Sequence, residues 1–181
     1  MKKLLLMAIL LISIAGQAHS QAQEGAKLYL AVTYGSFFPS DNVTSQRFGS
    51  TWPMFGITYI SPTKPHKWVP LGDVVWYNHS TGGSATLIPV TFGTGRAFGS
   101  GTLLQPYVAF RVGPYYGNVR AGSYGVDGAG VGFDANAAAG LIYQRRFYIE
   151  ARYDYFTPIA NTNFSGWSIL GGIRVLDIDL K

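Results

Sequence analysis

The feature that most constrains this chain is its period of two. Leu28, Leu30, Val32 and Tyr34 alternate with Tyr29, Ala31, Thr33 and Gly35. Phe55, Ile57 and Tyr59 alternate with Met54, Gly56 and Thr58, and Val108, Phe110 and Val112 alternate with Tyr107, Ala109 and Arg111. The clearest stretch is 147–155: Phe147, Ile149, Ala151, Tyr153 and Tyr155 fall on one face, and Tyr148, Glu150, Arg152 and Asp154 on the other. Alternation of this kind specifies strands with one apolar and one polar face, and it recurs along the chain with no helical period between. Eight strands are predicted, at about 27–38, 53–61, 68–78, 85–95, 103–115, 131–143, 147–157 and 166–175. In the third, Pro70 and Gly72 predict a late start or a bulge.

The connections alternate as well. Those at 39–52, 79–84, 116–130 and 158–165 are mostly longer and rich in Gly, Ser, Asn and Asp. Those at 62–67, 96–102 and 144–146 are shorter and carry Lys64, His66, Lys67, Arg96, Arg145 and Arg146. Eight antiparallel strands with short turns at one end and long loops at the other describe an all-β, eight-stranded, up-and-down transmembrane β-barrel. Strands of about 9–13 residues cross a bilayer when tilted.

Composition supports lipid as the outer solvent. Only 13% of the 181 residues are charged, where about a quarter is usual for a soluble domain. Strand charges sit opposite the apolar face: Asp73, Arg111, Asp134, Glu150, Arg152, Asp154 and Arg174. These seven are the predicted interior network, with Arg111 meeting Asp134 near the long loops, Glu150 meeting Arg174 near the short turns, and Asp73, Arg152 and Asp154 between. A soluble ligand-binding barrel would invert this arrangement and is the architectural alternative. Aromatics at the strand ends predict two interfacial girdles. Phe37, Phe38, Trp52, Trp76, Tyr115, Tyr116, Phe156 and Trp167 stand near the long loops. Tyr59, Trp68, Phe98, Tyr143 and Phe147 stand near the short turns.

Met1-Lys2-Lys3 followed by the apolar run from Leu4 to Gly16 and by Gln17-Ala18-His19-Ser20 has the form of a secretory signal peptide. Cleavage is expected after Ser20 or Ala22, which leaves residues 21–181 as the barrel. Losing Lys2 and Lys3 reduces the 14 basic residues to 12 against 9 acids, a net charge of +3. Export and this modest charge argue against nucleic acid as a partner. The absence of cysteine excludes disulfides, thiolate metal sites and a cysteine nucleophile.

Several segments resemble the small outer-membrane β-barrel family, the OmpA/OmpX-like porin-family domains of diderm bacteria. They are Leu87-Ile-Pro-Val-Thr-Phe92, Gln105-Pro-Tyr-Val-Ala-Phe-Arg-Val-Gly-Pro-Tyr-Tyr116, Phe147-Tyr-Ile-Glu-Ala-Arg-Tyr-Asp-Tyr155 and Phe164-Ser-Gly-Trp-Ser-Ile-Leu-Gly-Gly-Ile-Arg-Val175. The resemblance implies residence in the outer membrane, with its lipid, lipopolysaccharide and assembly machinery as partners, and no single activity. Members usually end on an aromatic residue. Here Leu176-Asp-Ile-Asp-Leu-Lys181 follows, and its alternation changes parity after Val175.

An eight-stranded barrel is filled by its own side chains, so a structural or surface-interaction role is expected, with a small gated channel as an alternative. A lipid-modifying enzyme would need a nucleophile, a base and an orienting acid in reach. His66 has no apparent nucleophile beside it, and adjacent strand residues His79 and Ser80 point to opposite faces. No catalytic residue, cofactor or metal site is predicted. Gly128-Ala-Gly130-Val-Gly132 does not match a phosphate-binding fingerprint. Loops 39–52 and 116–130 are the candidate sites for a surface ligand.

Overall fold

The computed structural model describes residues 27–60, 67–80, 82–99 and 103–179. The predicted signal segment, Lys64 and His66 lie outside these. The strands are β1 (Lys27–Pro39), β2 (Trp52–Ile60), β3 (Trp68–His79), β4 (Ser84–Ala97), β5 (Leu104–Ala121), β6 (Val126–Tyr143), β7 (Phe147–Phe156) and β8 (Gly166–Asp179). Each pairs antiparallel with the next, and β8 pairs antiparallel with β1, so the sheet closes into a barrel.

Four elements depart from the sequence expectation. The stretch 116–130 is not a loop: β5 and β6 run on as an 18-residue pair, closed by a 3-10 turn at Gly122–Tyr124 and by Gly125 in the left-handed region (φ 64°). The stretch 39–52 contains a short helix, α1 (Asn42–Phe48), whose N-cap carboxylate of Asp41 accepts from the Thr44 amide at 2.8 Å. Finally, β8 continues past Val175. Ala31 pairs with Arg174 and Leu30 with Leu176, so Val175 is the extra residue of a β-bulge. That bulge is the structural form of the parity change in the sequence. The bulge expected near Pro70 and Gly72 is absent, and β3 keeps one register with β4 from Trp68↔Arg96 to His79↔Ala85.

Parity sorts the two faces. Asp73, Arg111, Asp134, Glu150, Arg152 and Asp154 are buried inside, whereas Val32, Phe55, Ile57, Phe110, Val112, Ile149 and Ile169 are exposed outside. A polar core inside an apolar wall overturns the soluble-barrel alternative, because water outside would strand the apolar wall. Closure also satisfies the backbone without water, as a bilayer demands.

The aromatic girdles are partly corrected. Phe38 and Trp167 point outward, as do Trp68, Phe98, Tyr143 and Phe147 at the other end. Trp76 stacks on outward Phe55 at 5.0 Å. Phe37, Trp52, Tyr115 and Phe156 instead point inward and are almost completely buried. Clustering at strand ends does not distinguish the two faces; the parity of each ring with its strand does.

Candidate functional site

The interior has two layers. The lower is a charged network built from six strands, β3 to β8. Residues 148, 150, 152 and 154 of β7 share one face through the two-residue repeat, so Tyr148, Glu150, Arg152 and Asp154 all enter the lumen. Arg111 on β5 grips Glu150 through two bonds, Nη1 to Oε1 at 3.2 Å and Nη2 to Oε2 at 2.8 Å. Its Nη1 also donates to Asn136 Oδ1 at 3.1 Å, and Tyr107 donates to Glu150 at 2.7 Å. Arg152 Nη1 donates to Asp73 at 2.7 Å, and its Nε stands 3.2 Å from Asp154 Oδ1. Tyr77 accepts from Arg152 and donates to Asp154 at 3.2 Å. Thr91 donates to the other oxygen of Asp73, and Ser168 donates to Asp154 at 2.9 Å. Buried charges persist only when paired and hydrogen-bonded in this way.

Two of the expected pairings are replaced by others. Arg111 reaches Glu150 and comes within 3.8 Å of Asp73. Asp134 is met by the Asn136 amide at 3.5 Å, not by Arg111. Arg174 is not in the network: it bonds Asp177, and its guanidinium lies 3.2 Å from the Tyr29 ring centroid. The reason is strand tilt. Residues at one height in a tilted barrel are not those opposite one another in the ladder, and a long guanidinium spans several positions. Pairing by neighbouring strand therefore misassigned the partners. Sequence reasoning misses Tyr77, Thr91, Tyr107, Asn136 and Ser168; for all but Thr91, whose strand β4 carries no interior charge, shared parity with a charge of the same strand is the available signal.

The upper layer is an aromatic roof. Phe37 packs edge-on against Trp52 at 5.5 Å and Tyr77 at 5.0 Å, and Tyr115 meets Phe156 at 4.8 Å. Above them α1 lays Phe48 against Trp52 and Phe164, at 6.3 and 5.9 Å. The helix is tied to the β7–β8 connection by the Thr44 hydroxyl, which donates to Asn163 O at 2.6 Å. Below the network, Thr58, Leu71, Tyr107, Arg111, Tyr148 and Glu150 line a cavity of about 20 Å³, room for one water.

His79 stacks on the Trp52 ring at 5.8 Å, and its imidazole occupies the space a Cβ at Gly49 would take. Among the described residues, no group of three or more His, Cys, Asp or Glu is placed to hold a metal ion.

The upper part of β6 differs from the rest of the wall. Its pairing with β7 stops at Asp134↔Phe156, and one further bond joins the Thr157 amide to Phe133 O at 2.9 Å. Above it, Val131, Ala129 and Asp127 direct their amides and carbonyls away from β5 and have no backbone partner on that side among the described residues. The glycines at 128, 130 and 132 leave the inner side of this edge bare. There the chain from Thr157 to Ala160 packs, so that a Cβ at Gly132 would stand 2.7 Å from Thr157 Oγ1 and one at Gly128 3.2 Å from Ala160 Cβ.

No protein-family model matches the chain, and no curated protein matches it in sequence. Solved structures do. Neisserial surface protein A is similar with a TM-score of 0.62 and 15% identity, over 84% of this chain and 100% of that one. The chain has the fold of the small outer-membrane β-barrels. The outer membrane enzyme PagL is similar with a TM-score of 0.58 and 12% identity, over 82% of this chain and 99% of that one. Ail, the attachment invasion locus protein of Yersinia pestis, solved with the heparin analogue sucrose octasulfate, has a TM-score of 0.52 and 16% identity, over 84% and 100%. An outer-membrane barrel of this size thus serves unrelated tasks, and the task must be argued from the site.

Proposed function

We propose that this barrel is a non-enzymatic outer-membrane scaffold with a surface-interaction role, and that the β5–β6 hairpin is its interacting element. The observation that carries the reading is the open edge of β6. Among the described residues, amides and carbonyls of Asp127, Ala129 and Val131 have no backbone partner beside β6 at the long-loop end. A row of unpaired backbone groups is a template for an extended segment of another protein. The sealed interior fits a scaffold: the charged network and the aromatic roof together fill the lumen. Apart from Oδ1 of Asp134, which is buried without a hydrogen-bond partner, the carboxylate oxygens of the network lie against guanidinium, phenol, amide or hydroxyl donors, and no nucleophile with a base beside it is evident among the described residues.

Replacing residues 116–131 by an Asn-Gly turn, which joins the paired positions Tyr115 and Gly132 and removes the open edge, tests the reading. Cells displaying the shortened protein are expected to lose adhesion to a panel of extracellular-matrix proteins. Adhesion equal to that of the intact protein would remove the role assigned to the hairpin.

A further inference from the structure

The short-turn end carries cations that the interior network does not use. Arg96 lies on the outer face of β4, directly opposite Trp68 of β3 and Val108 of β5. Its guanidinium carbon is 5.6 Å from the centroid of the Phe98 ring, and its Nε is buried with no hydrogen-bond partner. Trp68 is half exposed and leans on Phe110 at 6.3 Å, so the arginine sits among aromatic rings at the lower girdle. A second cationic group lies at the β6–β7 turn. Gln144 and Arg145 adopt left-handed conformations (φ 50° and 56°), and the Arg146 amide closes the turn on Tyr143 O at 3.1 Å. This tight turn sets Arg145 and Arg146 side by side at the rim, with the Arg146 guanidinium 5.8 Å from the Phe147 ring.

Among the described residues Arg96, Arg145 and Arg146 form no ion pair, in contrast to Arg174, which is held by Asp177. In the sequence, residues 61–66 and 100–102 contain no Asp or Glu. A guanidinium at a lipid interface, backed by rings and without a carboxylate, has an unmet demand for a planar, two-oxygen acceptor. A phosphodiester satisfies it, because the guanidinium fork matches two phosphate oxygens while the rings pack beside glycerol and acyl chain. Short turns face the periplasm in barrels of this kind, so the lipid concerned is that of the inner, periplasmic leaflet.

We propose that Arg96 with Trp68 and Phe98, and Arg145–Arg146 with Phe147, form headgroup sites for anionic glycerophospholipids on the periplasmic girdle. The unpaired cations select anionic over zwitterionic lipid by charge, and the rings fix where the phosphate sits. The proposal is independent of the role of the β5–β6 hairpin.

Native mass spectrometry of the protein, released from micelles holding equal phosphatidylglycerol and phosphatidylcholine, tests it. The intact protein is expected to retain phosphatidylglycerol in excess. Arg96→Gln should lower that excess about fivefold, the factor matching about 1 kcal/mol per cation near an anionic surface. Adding Arg145→Gln and Arg146→Gln should abolish it. Arg174→Gln, which removes a guanidinium already paired, should leave it unchanged. Folding of each variant is checked by its heat-dependent gel mobility, and Arg96→Lys replaces any variant that fails to fold, with a partial loss expected. Equal retention of both lipids by the intact protein, an excess surviving in the triple variant, or an equal loss in Arg174→Gln would each overturn the proposal.

Discussion

Arg152 illustrates how single residues hold this interior. It lies 2.7 Å from Asp73, 3.2 Å from Asp154 and 3.9 Å from Glu150, and it donates to the Tyr77 hydroxyl. Arg152→Ala leaves three carboxylates without that partner, and breaking a buried pair from one side costs about 3–5 kcal/mol. Urea unfolding of the barrel in lipid vesicles should register the loss. Arg152→Lys should recover only part of it, since an ammonium lacks the guanidinium fork. A drop within experimental error of zero would mean that Arg152 does not anchor the network. Glycine matters most at position 93, where a Cβ would stand 1.8 Å from the Phe110 carbonyl oxygen. Gly93→Ala forces β4 and β5 apart there, and a failure to refold is expected; heat-dependent mobility equal to the parent's would contradict that close approach.

Two elements carry consequences of their own. The bulge at Val175 lets β8 change parity while its ladder with β1 continues to Lys27↔Asp179. Deleting Val175 joins Arg174 directly to Leu176 and restores a regular ladder, so the deletant is expected to fold. Deleting Ile169 flips every following side chain and should abolish the barrel. The comparison is read by refolding yield, and equal yields would refute the bulge. On β6, alternate residues face opposite neighbours. Ala129→Pro removes an amide at the open edge, where proline is tolerated. Gly130→Pro removes one bonded to β5 and should cost about 1–3 kcal/mol. Urea midpoints of the two variants measure the difference, and equal midpoints would mean the edge is not open. The strands themselves were legible, since eight runs of period two correspond to eight strands. The hairpin extension was not: Gly128 and Gly130 read as loop, because their packing against Ile159 and Ala160 involves chain more than 25 positions away.

The whole molecule is a lipid-facing wall around a filled lumen. In planar bilayers it is expected to carry no steady current. The Arg152→Ala variant should remain closed as well, because the Phe37, Trp52, Tyr77 and Phe156 roof stands above the network. A steady current in that variant would instead support a gated channel. Phe156→Ala opens the middle of the roof, and loss of a buried Phe costs about 3–5 kcal/mol, again measurable by urea unfolding. The sequence by itself determined the strand period, the number of strands, and which chemistry lies on each face; these are local properties of alternating side chains, and together they select lipid as the outer solvent. Only the tertiary structure decided that Arg111 grips Glu150, that Arg174 turns to Asp177, and that four girdle aromatics form an internal roof. Those outcomes depend on the tilt and stagger of eight strands closing on one another, which sets the height of every side chain in the lumen and appears in no single segment.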